Sequence, residues 1–406
     1  MNGQAPVAGT TTGRRPPLVL IFAITATSLM GNALITPTIP DIVEDLGAQK
    51  GVWNGLLVMG GALPGIVVAP VIGVLADQRG RRPVLVACLV LFGVFGGAGA
   101  AAPNLPILLV LRVGQGVGSA GLINLAVVVV SDHWQGIDRA RVIGWNAAVL
   151  TATVAVWPAI GGALADALGW RWVFALYPLS LLTAVAVWRW LPSVSVVAGG
   201  TMRERLVGAA SVSRRRELLT PILLGALAFV GVFGLMLVTL PSHLDDEFGL
   251  SAAARGRVLA VPALGSMAAA LSLGRLRRRV PSRRLAGGGL GMFAVAFAVM
   301  GAAPTTGVIA VVSLAYGLGE GVAIPSMQDQ VAEAAPPAIR GSVLAFFSAG
   351  ARAGQALGSL LFGVLLGVID ERTAFFGGAA VFATVAVAAL AWVEPAPHRR
   401  VEPSEP

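Results

Sequence analysis

Of the 20 acidic residues, only Glu320 falls near the middle of a long apolar run; the rest lie in polar segments or at run edges. It stands thirteen residues into that run, roughly 20 Å deep on a helix rising about 1.5 Å per residue. Ionisable groups at membrane depth cost several kcal/mol and mark function. The chemistry that suits a lone carboxyl there is taking up and releasing a proton. Arg352 lies thirteen residues after Ile339 on the next run, at a similar level. Two readings compete: a static buried ion pair, or a proton-carrying Glu320 whose charged form Arg352 holds until proton or substrate intervenes. Arg112 is a third charge, about 9 Å deep. Gln115 and Ser119 follow it at i+3 and i+7, on the same helix face. That polar stripe is expected to face a central cavity or the first span, or else to bond backbone carbonyls.

Such residues need helices that cross a bilayer. Of 406 residues, 56% are hydrophobic and 12% charged, and the mean hydropathy is +0.81. Soluble domains carry about a quarter charged residues, so a soluble enzyme, a secreted scaffold and a nucleic-acid binder are excluded. A crossing takes roughly 20 apolar residues. Twelve runs qualify, at 17–40, 53–75, 83–102, 105–130, 142–164, 171–191, 219–241, 256–274, 285–303, 307–328, 341–366 and 373–393. The run behind Arg14 and Arg15 is too long for a signal-peptide core and reads as the first span. The expectation is an all-α membrane protein of twelve helices: a tail (1–16), a six-helix bundle (17–191), a linker (192–218), a second six-helix bundle (219–393) and a tail (394–406).

Lys and Arg set the orientation. With the N-terminus inside, 22 of the 29 fall in cytoplasmic segments and five outside: Lys50, Arg171, Arg255, Arg257 and Arg372. Arg112 and Arg352 lie within spans. Both termini are therefore expected in the cytoplasm, with the chain in the cell (inner) membrane. The +9 charge reads as basic loops facing anionic lipid heads.

Sliding the chain by 201 residues aligns Thr38 with Thr239, Pro40 with Pro241, Asp45 with Asp246 and Gly55 with Gly256. It also aligns Gly73 with Gly274, Arg139 with Arg340, Arg171 with Arg372 and Phe174 with Phe375. Two parallel six-span repeats with a site between them near the midplane is the logic of a secondary transporter. Glu320 and Arg352 align with Ser119 and Thr151, so both charges are additions to the second half.

The segment Gly73-Val-Leu-Ala-Asp77-Gln-Arg79-Gly80-Arg81-Arg82-Pro83 resembles the signature loop of the major facilitator superfamily. Leu111-Arg112-Val-Gly-Gln115-Gly116-Val-Gly118 resembles the fourth-span motif of its twelve-span drug:proton antiporters, and Pro37-Thr-Ile-Pro40 and Leu240-Pro241 fit that branch. The resemblance implies a role in proton transfer for Arg112. The branch's fifth-span Gly-Pro motif reads Thr153 and Trp157-Pro158 here, with only Gly161-Gly162 kept, so that helix is expected to pack less closely. In the signature loop, a turn at Gly80 brings Arg79 and Arg81 under the second and third spans, where Asp132 can pair with them. Asp77 can then sit at the positive N-terminus of the eleventh span near Gly341, locking the halves on the cytoplasmic side. The second copy has Arg278 where Asp77 stands, so only the first is expected to lock.

Asn32, Asn124, Asn146 and Gln355 are polar residues inside spans, suited to interhelical hydrogen bonds. Asn32, Gln115, Ser119, Asn146, Trp157, Phe233 and Met236 are the candidate lining of a substrate cavity. Trp53, Trp170, Trp172, Trp188, Trp190 and Trp392 fall at span ends, as an interfacial belt does. Cys88 is the sole cysteine, and His133, His243 and His398 are scattered, so neither a metal site nor a cofactor is expected. Gly114-x-Gly116-x-Gly118 and Gly317-x-Gly319-x-Gly321 imitate nucleotide loops but lie in spans, and no P-loop lysine occurs. The combined expectation is a monomeric transporter, not an enzyme, exporting a hydrophobic or amphipathic small molecule in exchange for protons. Its rivals are uptake or exchange of an anionic metabolite or lipid, with Arg112 and Arg352 as clamps, and a sensor without net transport.

Overall fold

In this computed structural model, residues 15–48, 51–192, 216–335 and 340–391 are described. The expected tails (apart from residues 15–16), all but the ends of the expected linker, and Lys50 lie outside them. Apolar runs in lipid have no backbone partner but themselves, so they close their own helical hydrogen bonds. Among the described residues these make twelve long helices: α1 (Leu18–Asp45), α2 (Val52–Arg79), α3 (Arg81–Ala101), α4 (Leu105–His133), α5 (Gly136–Leu168), α6 (Trp170–Trp190), α7 (Arg216–Asp246), α8 (Ala252–Arg277), α9 (Ser282–Ala302), α10 (Thr306–Ala334), α11 (Arg340–Leu365) and α12 (Glu371–Ala391). All but α11 are apolar enough along their length to cross a membrane; α11 has 26 residues but carries Arg352 and Gln355 in its middle.

Proline disturbs the helices where it cannot donate to the ladder. Helix α1 tightens into a 3₁₀ turn at Thr36–Thr38 around Pro37. Helix α7 widens into a π-helical stretch, Val232–Thr239, just before Pro241. Caps move a boundary as well. Ser251 accepts from the Ala254 N–H at 3.4 Å and starts α8 at Ala252, earlier than the expected 256. Arg255, expected in an outer loop, therefore lies inside α8 and is 1% exposed.

The pairings of the first six helices recur in the second six. Helix α3 packs on α4 and α6 as α9 packs on α10 and α12, α2 on α4 as α8 on α10, and α1 on α5 as α7 on α11. The halves meet through α5 with α8 and α2 with α11, themselves equivalent pairs. Helices alternate in direction, so the bundle has an end carrying Asp41 and an end carrying Asp77. At the Asp41 end, the first-half core around Met30, Leu34, Ile42, Leu57 and Tyr177 takes in Val238 of α7. At the Asp77 end, the core around Leu20, Leu85, Val130 and Leu191 is built, among the described residues, by the first half alone. The second half packs around Phe293, Phe297, Tyr316 and Phe382.

Candidate functional site

Glu320 sits on the face of α10 that meets α8. Ser266 Oγ donates to its Oε2 at 3.2 Å and lies 3.0 Å from the Gly317 carbonyl. One turn away on α10, Tyr316 is buried with its ring stacked 4.5 Å from Phe293, and among the described residues neither its hydroxyl nor that of Ser313 has a hydrogen-bond partner. Among the described residues no cation pairs with Glu320. Arg352 points to the other half: its Nη2 donates to the Ala120 carbonyl of α4 at 3.2 Å, and its guanidinium lies against Gly65 of α2. The expected Glu320–Arg352 pair is therefore not formed. Their helices turn them to different neighbours.

Arg112 is 1% exposed and bound on all sides. It donates to Gln115 and Asn32, to the Gly31 carbonyl at 2.8 Å and to the Leu57 carbonyl at 3.2 Å. The Tyr177 hydroxyl donates to the same Gly31 carbonyl at 2.9 Å. Arg112 thus faces the first and second helices and bonds their backbone carbonyls, both among the expectations for it. The cluster with Tyr177 joins α1, α2, α4 and α6, while Ser119 bonds the Gly116 carbonyl of its own helix. Gly60 and Gly61 allow the approach, since a side chain at either would meet the arginine or its neighbours.

The candidate lining residues divide. Gln115 is buried in the Arg112 cluster, Asn146 is buried and accepts from the Thr25 hydroxyl at 2.6 Å, and Met236 is in core packing. These three do not face open space, because each fills a seam within its own half. Asn32, Ser119, Trp157 and Phe233 keep partial exposure, although Trp157 Nε1 donates to the Ala26 carbonyl at 2.9 Å and Ser119 to the Gly116 carbonyl at 3.0 Å.

The signature loop turns as expected at Gly80, whose φ of +91° an L side chain rarely adopts. Arg81 reaches Asp132 at 3.1 Å and Asp77 at 2.9 Å. Arg79 is exposed, and Arg82 stacks over the Trp188 ring at 4.5 Å. The expected fastening of the two halves is not what these contacts do. They tie α2, α3 and α4 within the first half, Asp77 stays 58% exposed, and nothing stands within reach of a side chain placed at Gly73. The surroundings of Gly341 lie outside the described residues. The second copy has a tie of its own, Arg277 to Asp329, joining α8 to α10.

The halves are fastened at the Asp41 end, which the sequence did not reveal. Arg255 of α8 holds Asp41 of α1 at 2.6 Å across the halves and Asp245 of α7 at 2.9 Å within its own. Asn54 of α2 donates to Ser242 Oγ of α7 at 2.8 Å, both buried. A side chain at Gly55 would strike Ser359 and Gly363 of α11; at Gly162 it would strike Ala252, and at Gly256 Pro158. Helices α5 and α8 therefore pack backbone to backbone, against the looser packing expected from the altered fifth-span motif, because Gly162 and Gly256 supply the small surfaces that close approach needs. The repeat did expose one symmetric element: Arg171 pairs with Asp45 at 2.9 Å, and its counterpart Arg372 pairs with Glu247.

A family model described as Major Facilitator Superfamily matches residues 21–254 and 222–406. The multidrug transporter protein MdtP of Bacillus subtilis is 31% identical over 174 residues, 42% of this chain and 31% of that protein. The match thus spans about a third of that relative's length. The chloramphenicol resistance protein of Streptomyces lividans is 29% identical over 274 residues, 66% of this chain and 69% of that protein. Among solved structures, an inward-facing, unoccupied bacterial homologue of the human lysosomal transporter Spinster superposes with a TM-score of 0.74 at 17% identity, covering 92% of this chain and 95% of that one. A D-xylose–proton symporter gives 0.73 at 16% identity, covering 93% and 98%.

Proposed function

The chain belongs to the Major Facilitator Superfamily, and from that premise we propose that it exports a hydrophobic or amphipathic small molecule by proton-coupled alternating access. It is a membrane transporter, not an enzyme. In this reading α11 is a twelfth span, the helices act as two six-helix bundles joined by a cytoplasmic linker, and both termini face the cytoplasm. The protein works as a monomer in the cell (inner) membrane. The Asp41 end then faces outward, and the structure is the state closed on that side.

The observation that carries proton coupling is Glu320, a buried carboxyl on an apolar helix with Ser266 as its bonding partner and no cation beside it among the described residues. Taking a proton removes the cost of a charge in that setting. Arg112, hydrogen-bonded from α4 to α1 and α2, positions the first half around the site. Asn32, Ser119, Trp157 and Phe233 line the route of the cargo, and the Asp77–Arg81–Asp132 cluster keeps the inner rim of the first half rigid as it moves. Relatives named for multidrug transport and chloramphenicol resistance support an amphipathic cargo.

A second reading, exchange of an anionic metabolite or lipid, draws on Arg352, which has no carboxylate partner among the described residues. Purified protein in liposomes holding a pH dye separates these readings, with chloramphenicol and ethidium as neutral and cationic probes. Proton movement on adding either probe is the expected result. Probe movement without proton flux removes coupling, movement of organic anions alone favours the second reading, and no movement of any probe favours a sensor.

A further inference from the structure

The offset of 201 that relates the halves also relates the two polar contacts between them at the Asp41 end. It carries Asp41 to Ser242 and Asn54 to Arg255. The contact of α1 with α8 and the contact of α7 with α2 are thus one contact made twice. One copy is ionic, Asp41 with Arg255 at 2.6 Å, and the other neutral, Asn54 with Ser242 at 2.8 Å. Repeat symmetry kept the place and changed the chemistry.

We propose that Asp41 and Arg255 form an ionic latch that sets how much of the protein is closed at the Asp41 end, with Asn54 and Ser242 as its neutral twin. Both are positioning residues of the transport cycle and do not contact the cargo.

The partners of Arg255 explain why the latch can release. A buried guanidinium stripped of its only carboxylate would be costly. Arg255 keeps Asp245 of its own half when the halves part, so only Asp41 must be released. Asp41 is already 39% exposed and passes readily into water. At the neutral twin, parting leaves two small polar groups that water can serve. The glycine contacts at Gly55, Gly162 and Gly256 bring the backbones together without specifying a state, since their attraction is dispersion over small surfaces. The charged pair supplies a discrete contact that is either made or absent.

The latch rests on the two-half architecture and not on proton coupling, so it is measured without substrate or proton gradient. In a Cys88→Ser background, nitroxide labels on exposed Glu44 and Arg257 report the separation of the halves by pulsed electron resonance in lipid nanodiscs. Labels at Glu44 and Leu168 report a distance inside the first half. Asp41→Asn is expected to raise the open-to-closed ratio about tenfold, within the range of coupling between conformational states. The Glu44–Leu168 distance should stay fixed. Asp41→Ser combined with Arg255→Asn writes the neutral contact onto the ionic site and should return the ratio most of the way to wild type. An unchanged Glu44–Arg257 distribution in Asp41→Asn overturns the latch. So does a parallel shift of the Glu44–Leu168 distance, which would make Asp41 a tie within its own half. A double variant as open as Asp41→Asn overturns the equivalence of the two contacts.

Discussion

Glu320→Gln tests the proton site with the least disturbance. Glutamine keeps the shape and an oxygen to accept from the Ser266 hydroxyl, which lies 3.2 Å from the carboxylate. It removes the titrating group. Splitting a buried ion pair costs roughly 3–5 kcal/mol, but Arg352 bonds the Ala120 carbonyl and is not left alone by the change. Stability should therefore stay within about 1 kcal/mol, the scale of one hydrogen bond. The effect on transport is larger. With one proton exchanged per cargo molecule, a pH difference of one unit supports about a tenfold concentration ratio, or about 1.4 kcal/mol. Glu320→Gln should bring that ratio to about one while labelled-for-unlabelled exchange continues, because exchange needs the rocking of the halves and no net proton movement. Liposomes with an imposed pH gradient measure accumulation, the same liposomes without it measure exchange, and thermal unfolding measures stability. Accumulation at the wild-type ratio by Glu320→Gln would remove the proton site from α10. A loss of several kcal/mol of stability would show instead that Glu320 is a structural tie with a partner the contacts do not account for.

Two further perturbations probe the scaffold. Asp132→Asn breaks the 3.1 Å tie between Arg81 and a carboxylate only 22% exposed, so it should destabilise by about 1 kcal/mol or more, whereas Asp77→Asn at 58% exposure should cost under about 0.5 kcal/mol; equal shifts in melting temperature would refute this ranking. Gly256→Leu drives a side chain into the Pro158 carbonyl and should abolish transport with the protein still inserted, while Gly274→Leu, with open space around it, should transport normally. If uptake assays show both transporting alike, the α5–α8 approach is not needed for the cycle.

The apolar helices were legible in the sequence and the direction of their side chains was not. Hydropathy locates spans because lipid forces each apolar run to satisfy its own backbone. Counting residues from the span ends gave the expectation that Glu320 and Arg352 stand at similar levels. Which way each helix turns depends on packing against its neighbours. Glu320 meets Ser266 of α8 and Arg352 meets Gly65 and Ala120 of the other half, so the two charges expected to pair do not touch. The placement of Arg112 fared better, because the first span and backbone carbonyls were both among its expected neighbours. The signature loop was legible as a turn and as a Gly80–Arg81–Asp132 cluster. Its expected role between the halves depended on which end of the bundle is closed, a property of the conformation and not of the chain.

The repeat shows the same limit from the other side. Matching identical residues found Gly55 with Gly256 and Arg171 with Arg372, and each pair does equivalent work in the two halves. It passed over Asp41 with Ser242 and Asn54 with Arg255, because at those positions the residues differ while the contact persists. A backbone contact between two helices needs a small residue on both copies, so identity survives there. A side-chain contact needs only complementary partners, and an aspartate facing an arginine serves as well as a serine facing an asparagine. The positions where a two-fold scaffold was made to work asymmetrically are those where identity fails and geometry holds. In this chain Glu320, Arg352, Asp41 and Arg255 all stand opposite uncharged residues in the other half.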